Sequence, residues 1–229
     1  SEGSVKPPVF LTSTFVSATA EDAALHFDVA SWRATQTKGH AAGLIYSRIN
    51  HPNLEIVEDR LALLDGSDCA VVTASGMAAL ATTLLALLQP GDVVLRSAPL
   101  YGGTESLLSG LLELWGVQTV HLPMALNDES LARALENASE LGKPAMIYFE
   151  TPANPTNDMI DIHRLVNLLR SRFPDPTMRP LTVCDNTLLG PLHQQPANVG
   201  VDLCVYSLTK YVGGHSDLVA GGVTGKAEH

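Results

Sequence analysis

Lys210 stands in Tyr206-Ser207-Leu208-Thr209-Lys210-Tyr211, at the end of the apolar run 201–205, and Asp185-Asn186-Thr187 begins twenty-five residues before it. A lysine flanked by hydroxyls past a buried strand can be held with its amine desolvated. Desolvation favours the neutral, nucleophilic form, which can make a Schiff base. Pyridoxal phosphate requires such an amine, donors for its phosphate, and a carboxylate that keeps its ring nitrogen protonated as an electron sink. Lys210, Ser207 with Thr209, and Asp185 could supply all three.

Taken singly, each piece has a plain explanation. A lysine after a strand is commonly a solvated loop residue, and Asp-Asn-Thr after a strand is commonly a turn or a helix cap. Ser207-Leu208-Thr209-Lys210 also satisfies the Ser-x-x-Lys pattern of penicillin-binding serine hydrolases. That reading lacks the Ser-Asp-Asn and Lys-Thr-Gly elements, and its nucleophile would follow a strand in an alternating α/β pattern foreign to that class. Only the cofactor reading uses all the pieces together.

The elements that must position these residues follow from hydrophobic periodicity. Residues 1–50 hold Pro7-Pro8 and several Thr, Ser and Gly with little periodicity, and read as an extended N-terminal arm with one helix over 20–27. From 51 to 229 helix and strand alternate. Leu54, Val57, Leu61 and Leu64 keep helical spacing up to a stop at Gly66. Helices are predicted over 76–88, 104–115, 130–141 and 162–172, and strands over 69–72, 93–95, 117–121, 145–149, 181–184 and 202–205. Uninterrupted apolar strands between amphipathic helices predict a mostly parallel sheet covered on both faces. In such sheets ligands bind past the carboxyl ends of the strands. Glu150-Thr151-Pro152-Ala153-Asn154-Pro155, Asp185-Asn186-Thr187 and Ser207-Leu208-Thr209-Lys210 each follow a predicted strand, so they should converge on one edge. Ser75-Gly76-Met77-Ala78 joins a strand to a helix, and such a helix start offers backbone N–H groups to a phosphate. Tyr101, also past a strand, could stack on a pyridine ring.

With 229 residues, 45% of them hydrophobic, the chain can bury a sizeable core. A formal net charge of -10 and the absence of any basic run argue against a nucleic-acid partner. Cys69, Cys184 and Cys204 are odd in number, without Cys-x-x-Cys spacing, and read as buried thiols of a cytoplasmic protein. The eight histidines show no paired ligand spacing, so no metal is expected. The longest apolar stretch, 78–88, is too short to span a bilayer, and no signal segment is evident.

Pro7-Pro8-Val9-Phe10-Leu11-Thr12-Ser13-Thr14-Phe15, Tyr46-Ser47-Arg48, Ser75-Gly76-Met77-Ala78, Tyr101-Gly102-Gly103-Thr104, the Glu150–Pro155 segment, Asp185-Asn186-Thr187 and Ser207-Leu208-Thr209-Lys210-Tyr211 with Gly214-His215-Ser216-Asp217 occur in this order. Together they resemble the Cys/Met-metabolism (trans-sulfuration) family of pyridoxal-phosphate enzymes. That family holds cystathionine γ-lyases, methionine γ-lyases, cystathionine γ-synthases and O-acetylhomoserine sulfhydrylases. The resemblance implies the fold type I transferase architecture and pyridoxal 5'-phosphate as cofactor. It implies Lys210 as the Schiff-base lysine and proton shuttle, Asp185 at the pyridinium nitrogen, and Tyr101 on the ring and as acid for the leaving thiol. It also implies Gly76, Met77, Ser207 and Thr209 at the phosphate and Asn154 at the cofactor oxygen and the substrate carboxylate. Tyr46 and Arg48 would reach the phosphate of a neighbouring subunit, giving a homo-oligomer, commonly a tetramer built as a dimer of dimers.

Two departures stand out. The family continues Tyr-Ser-Arg into Asn-Pro-Thr, whereas this chain has Asn50-His51-Pro52-Asn53. Its small C-terminal domain, with an arginine for the substrate carboxylate, would lie beyond His229, and the leader before Pro7-Pro8 is short. The chain therefore reads as a piece of a longer polypeptide. The activity implied is γ-elimination from cystathionine or methionine, giving 2-oxobutanoate, ammonia and a thiol. γ-Replacement shares its early steps, and an inactive remnant that keeps the fold is a further alternative. Methionine γ-lyases often carry a cysteine where this chain has Gly103, yet Met146-Ile147-Tyr148-Phe149-Glu150 and Tyr46-Ser47-Arg48-Ile49 look methionine-lyase-like.

Overall fold

A computed structural model describes residues 5–31, 33–34 and 43–228. The parts of the expected arm at 1–4, 32 and 35–42 lie outside the described residues. The chain divides into two compact units, 1–59 and 60–229.

In the first unit, α1 (Ala20–Ala30) starts where the Thr19 hydroxyl accepts the N–H of Asp22. Three more residues of the helix are formed than the periodicity predicts. The segment before it is held by the chain around 45–53. Thr14 and Tyr46 form an antiparallel bridge, and Ser47 donates its N–H to the Ser13 carbonyl at 2.9 Å. The Asn53 side chain brackets Phe10, accepting its N–H and donating to its carbonyl, both at 3.1 Å. Asn53 belongs to α2 (Pro52–Asp65), whose proline at the first helical position needs no acceptor for its missing N–H.

The second unit is a seven-stranded sheet in the order β1-β7-β6-β5-β4-β2-β3. Six strands lie where the apolar runs predict them: β1 (Cys69–Thr73), β2 (Asp92–Arg96), β3 (Gln118–His121), β4 (Lys143–Glu150), β5 (Leu181–Asp185) and β6 (Leu203–Ser207). The seventh, β7 (Gly221–Gly225), runs antiparallel between β1 and β6, so the sheet is mostly parallel, as expected. Helices cover both faces. α5 (Asp128–Leu141) and α6 (Ile162–Arg172) lay Leu131, Leu135, Leu165 and Leu169 against Leu95, Ile147 and Phe149. On the other face, α3 (Gly76–Leu87) and α4 (Gly102–Ser106), which runs on into a π-helical stretch (Leu107–Leu112), lay Leu80, Leu84, Leu108 and Leu112 against Val94, Met146 and Val183. Alternation along the central strands β2, β4, β5 and β6 thus feeds two apolar layers, the pattern required of a sheet buried on both faces. Short helices α7 (Gly190–His193) and α8 (Pro196–Val199) lead into β6.

One expectation about the thiols is corrected. Cys184 and Cys204 are buried and face each other across β5 and β6, but Cys69 is exposed, because β1 forms a sheet edge and Cys69 begins it. Among the described residues no helix is long and apolar enough to cross a membrane.

Candidate active site

Parallel register brings the ends of three central strands side by side. Glu150 at the end of β4 pairs with Asp185 at the end of β5, which pairs in turn with Val205 of β6, two residues before Ser207. Past these ends lies a cavity of about 290 Å³. Eight of the ten expected site residues line it: Gly76, Met77, Tyr101, Asn154, Asp185, Ser207, Thr209 and Lys210. Tyr46 and Arg48 belong to the first unit, where the Arg48 guanidinium carbon lies 5.5 Å from the centre of the Tyr46 ring.

One end of the cavity is made by α3 and the turn after β6. Ser75 caps the helix, its hydroxyl accepting the Ala78 N–H at 3.0 Å. The N–H groups of Gly76 and Met77, the first of the helix, have no intrahelical acceptor and sit at the positive end of the helix dipole. The Thr187 hydroxyl accepts the Ser207 N–H at 2.8 Å and so fixes the start of the β6 turn. Thr209 is also held, since its hydroxyl donates to the Ala220 carbonyl at 3.2 Å and accepts the Ala220 N–H at 3.1 Å.

At the other end, both oxygens of Asp185 are oriented. Oδ1 accepts the Thr187 N–H at 3.0 Å and Oδ2 accepts the Tyr148 hydroxyl at 3.3 Å. Burial pushes the Asp185 carboxyl above the usual carboxylate range, and the bonds from Thr187 and Tyr148 oppose that rise. A cationic ring nitrogen beside it would favour the carboxylate. Thr104 in the cavity wall is fully buried, with its hydroxyl beside that of Tyr148. Tyr101 precedes α4 with 46% of its surface exposed. A Cβ on Gly103 would come 2.6 Å from Tyr101 Cε1 and 2.8 Å from Met77 Sδ, so glycine there gives the ring room to lie down.

Lys210 differs from expectation. It lines the cavity but is exposed rather than desolvated, because it stands beyond β6 in a turn that holds it through its backbone: Lys210 N–H to the Ser207 carbonyl at 3.1 Å, and Gly214 N–H to the Lys210 carbonyl at 2.8 Å. Three residues of the site escaped the sequence reading. Thr187 and Tyr148 orient Asp185, and Glu150 holds two loops at once, accepting the N–H of Tyr101 on Oε2 and of Asn154 on Oε1, each at 2.7 Å. Only the place of Glu150 and Thr187 directly after strands hinted at them.

A helix start open to an anion, an oriented carboxylate and an accessible lysine around one crevice fit pyridoxal phosphate in size and donor chemistry. The fold that brings them together is that of the fold type I enzymes using this cofactor. The family model described as Cys/Met metabolism PLP-dependent enzyme matches residues 1–229, and the chain belongs to that family. It is 39% identical over 223 residues to L-methionine gamma-lyase of Pseudomonas putida, covering 97% of this chain and 50% of the relative. It is 33% identical over 227 residues to O-succinylhomoserine sulfhydrylase of Pseudomonas aeruginosa, covering 99% and 51%. Among solved structures, a proposed O-acetylhomoserine (thiol)-lyase of Campylobacter jejuni bearing N'-pyridoxyl-lysine-5'-monophosphate superposes with a TM-score of 0.82 at 27% identity, covering 99% of this chain and 51% of that one. The chain thus spans about half the length of the relatives it matches.

Proposed function

We propose that the protein is a pyridoxal-phosphate-dependent carbon–sulfur lyase acting on a sulfur amino acid, methionine or cystathionine, by γ-elimination to 2-oxobutanoate, ammonia and a thiol. The observation that carries this reading is the common cavity of Lys210, Asp185 and Tyr101 beside the open start of α3. The likeness to L-methionine gamma-lyase supports the substrate class.

When bound, pyridoxal phosphate supplies an electron sink next to the substrate's amino-bearing carbon. The protein's own groups do the rest. Gly76 and Met77 N–H groups with the Ser207 hydroxyl bind the phosphate, joined by Thr209 when its hydroxyl turns from the Ala220 carbonyl, and Asp185 Oδ atoms hold a proton at the ring nitrogen. Asn154 orients the cofactor oxygen and the substrate carboxylate. Lys210 Nζ, exposed in its turn, takes the proton from the substrate Cα; a second proton then leaves Cβ, and its electron pair forms the Cβ–Cγ double bond as the Cγ–S bond breaks. The Tyr101 hydroxyl gives a proton to the departing sulfur.

Tyr46 and Arg48 complete the phosphate site of a neighbouring copy, which makes a dimer the smallest active unit and a tetramer the expected assembly. The arm's exposed Val9 (74%), Leu11 (94%) and Val16 (97%) support burial against a second copy. Mixing full-length Lys210→Ala with full-length Arg48→Ala should regain activity through one intact hybrid site, and no regain would remove the shared-site reading. A cytoplasmic location suits the free thiols, and the acidic charge suits a small-molecule substrate rather than nucleic acid.

The 33% identity to O-succinylhomoserine sulfhydrylase favours γ-replacement as the second reading. The deciding experiment records the visible spectrum of the full-length protein before and after borohydride, maps the adduct, and assays 2-oxobutanoate release from methionine and cystathionine. An adduct on Lys210 with release supports the lyase. An adduct with turnover only when a homoserine ester and a thiol are both supplied supports replacement. No chromophore and no adduct with added cofactor would sink both.

A further inference from the structure

Glu150 ends β4 as a buried carboxylate, 4% exposed, whose two oxygens reach two different loops. Oε2 accepts the N–H of Tyr101, in the loop after β2, and Oε1 accepts the N–H of Asn154, in the loop after β4 itself. Its own backbone is anchored, because its N–H is accepted by the Ser97 hydroxyl at 3.1 Å while Ser97 donates its N–H to the Tyr148 carbonyl at 3.0 Å. The carboxylate is thus a fixed post between two loops. We infer that Glu150 is the positioning residue of this site, a clamp that sets Tyr101 and Asn154 in one mutual geometry so that ring-facing and carboxylate-facing groups are registered together. The inference rests on the pyridoxal-phosphate reading for what the two loops present, but the clamp itself is a property of this chain.

Only the ionised group offers a strong acceptor to both N–H donors at once, since a proton on either oxygen leaves one of them facing a much poorer partner. The surroundings bring that proton within reach. Asp185 on β5 and Glu105 on α4 repel the charge, although Glu105 is itself paired with Arg96 of β2 at 2.8 Å, and Lys210 from the turn after β6 lines the same cavity. Burial, the largest cause, and these carboxylates drive Glu150 up to about 7 against the two N–H bonds that lower it. The clamp therefore closes as pH rises through neutrality and opens one loop below it.

Hydrogen exchange read by mass spectrometry on the full-length protein tests this, with peptides covering 97–106 and 150–158, between pH 5.5 and 8.5, corrected for intrinsic rates. The protein is measured first without and then with pyridoxal phosphate. In the wild type the Tyr101 and Asn154 amides should gain protection of about tenfold or more on passing through neutrality, as expected for hydrogen bonds to a charged group. In Glu150→Gln, which cannot accept at both atoms, that pH step should vanish while a control helix such as α6 stays protected. Wild-type protection that is flat with pH, or a step that persists in Glu150→Gln, overturns the clamp. The wild-type arm decides the matter even if the variant does not fold. Absence of a cofactor chromophore in the loaded protein would instead count against the functional reading while leaving the exchange result intact.

Discussion

Gly76 and Ser207 stand so close that a Cβ on Gly76 would come 2.7 Å from the Cβ of Ser207 and 2.9 Å from its Cα. The glycine is needed for approach, since it lets the start of α3 and the turn after β6 close on the cavity from two sides, where the proposed function puts the phosphate. Gly76→Ala must therefore push two backbones apart at the phosphate end, at an overpacking cost of about 1–3 kcal/mol. We expect pyridoxal phosphate to bind roughly ten- to a hundredfold more weakly, with the far-ultraviolet dichroism unchanged. Equilibrium titration of the cofactor by its absorbance checks this, and an unchanged affinity would take the phosphate away from this cleft.

Tyr101 offers both a ring and a hydroxyl, and the two can be separated. Tyr101→Phe keeps the ring and the N–H that bonds Glu150, so cofactor loading should stay near wild type. Loss of the acid for the leaving sulfur should lower turnover by roughly a hundredfold or more. Steady-state kinetics on the full-length variant would read this, and unchanged turnover would refute the acid role.

How much of this was legible in the sequence depends on what each segment spends its residues on. Strands β1 to β6 announce themselves as short runs of apolar and β-branched residues, and the central β2, β4, β5 and β6 bury such side chains on both faces. β7 does not, because Gly221-Gly222-Val223-Thr224-Gly225 is shaped by the closeness of neighbouring backbone and leucine side chains. A Cβ on Gly221 would meet the Ser75 carbonyl at 2.1 Å, one on Gly222 would meet Leu61 at 2.7 Å, and one on Gly225 would meet Leu203 at 2.4 Å. A strand selected for closeness carries no hydrophobic period. The same division holds in the site. Lys210 and Asp185 were readable as residue types suited to a chemistry, whereas Glu150 reads as an ordinary charged strand end until its two partners, 49 and 4 residues away, are seen. The exposure of Lys210 was equally invisible, since an apolar strand says nothing about where the turn after it points.

The pH dependence of stability gives a separate view of Glu150. Its carboxyl rises from the usual 4.5 to about 7 in the folded chain, so folding favours the protonated form. The sign follows from proton counting. The contribution is fully present below about 4.5, where both states are protonated, and is lost as pH rises through 7, when the folded state must ionise a buried group. The loss is about 3 kcal/mol. Denaturation midpoints from pH 4.5 to 8 should therefore fall less steeply in Glu150→Gln than in the wild type by roughly that amount. Parallel profiles would mean that Glu150 does not carry the proton.

Asp65 is the buried end of a polar chain that runs beneath the site. It is 0% exposed and accepts the Tyr206 hydroxyl at 2.5 Å, the Ser67 hydroxyl at 3.1 Å and the Thr224 hydroxyl. Tyr206 in turn accepts the Asn186 side-chain amide at 3.0 Å, and Gln194 Nε2 donates to Asn186 Oδ1 and to the Thr151 carbonyl, both at 2.9 Å. Residues next to Asp185, Ser207 and Glu150 are thereby tied together from below. Asp65→Ala would strand the Tyr206 and Thr224 hydroxyls without a buried acceptor, a loss of about 3 kcal/mol or more. Asp65→Asn keeps one acceptor oxygen and should lose about half as much. Because Tyr206 precedes Ser207, the Ala variant should also shed pyridoxal phosphate at denaturant concentrations where the sheet is still folded. Urea titration followed by far-ultraviolet dichroism and cofactor absorbance together would read both effects. Coincident transitions at the wild-type midpoint would show that this chain of hydrogen bonds does not hold the cofactor seat.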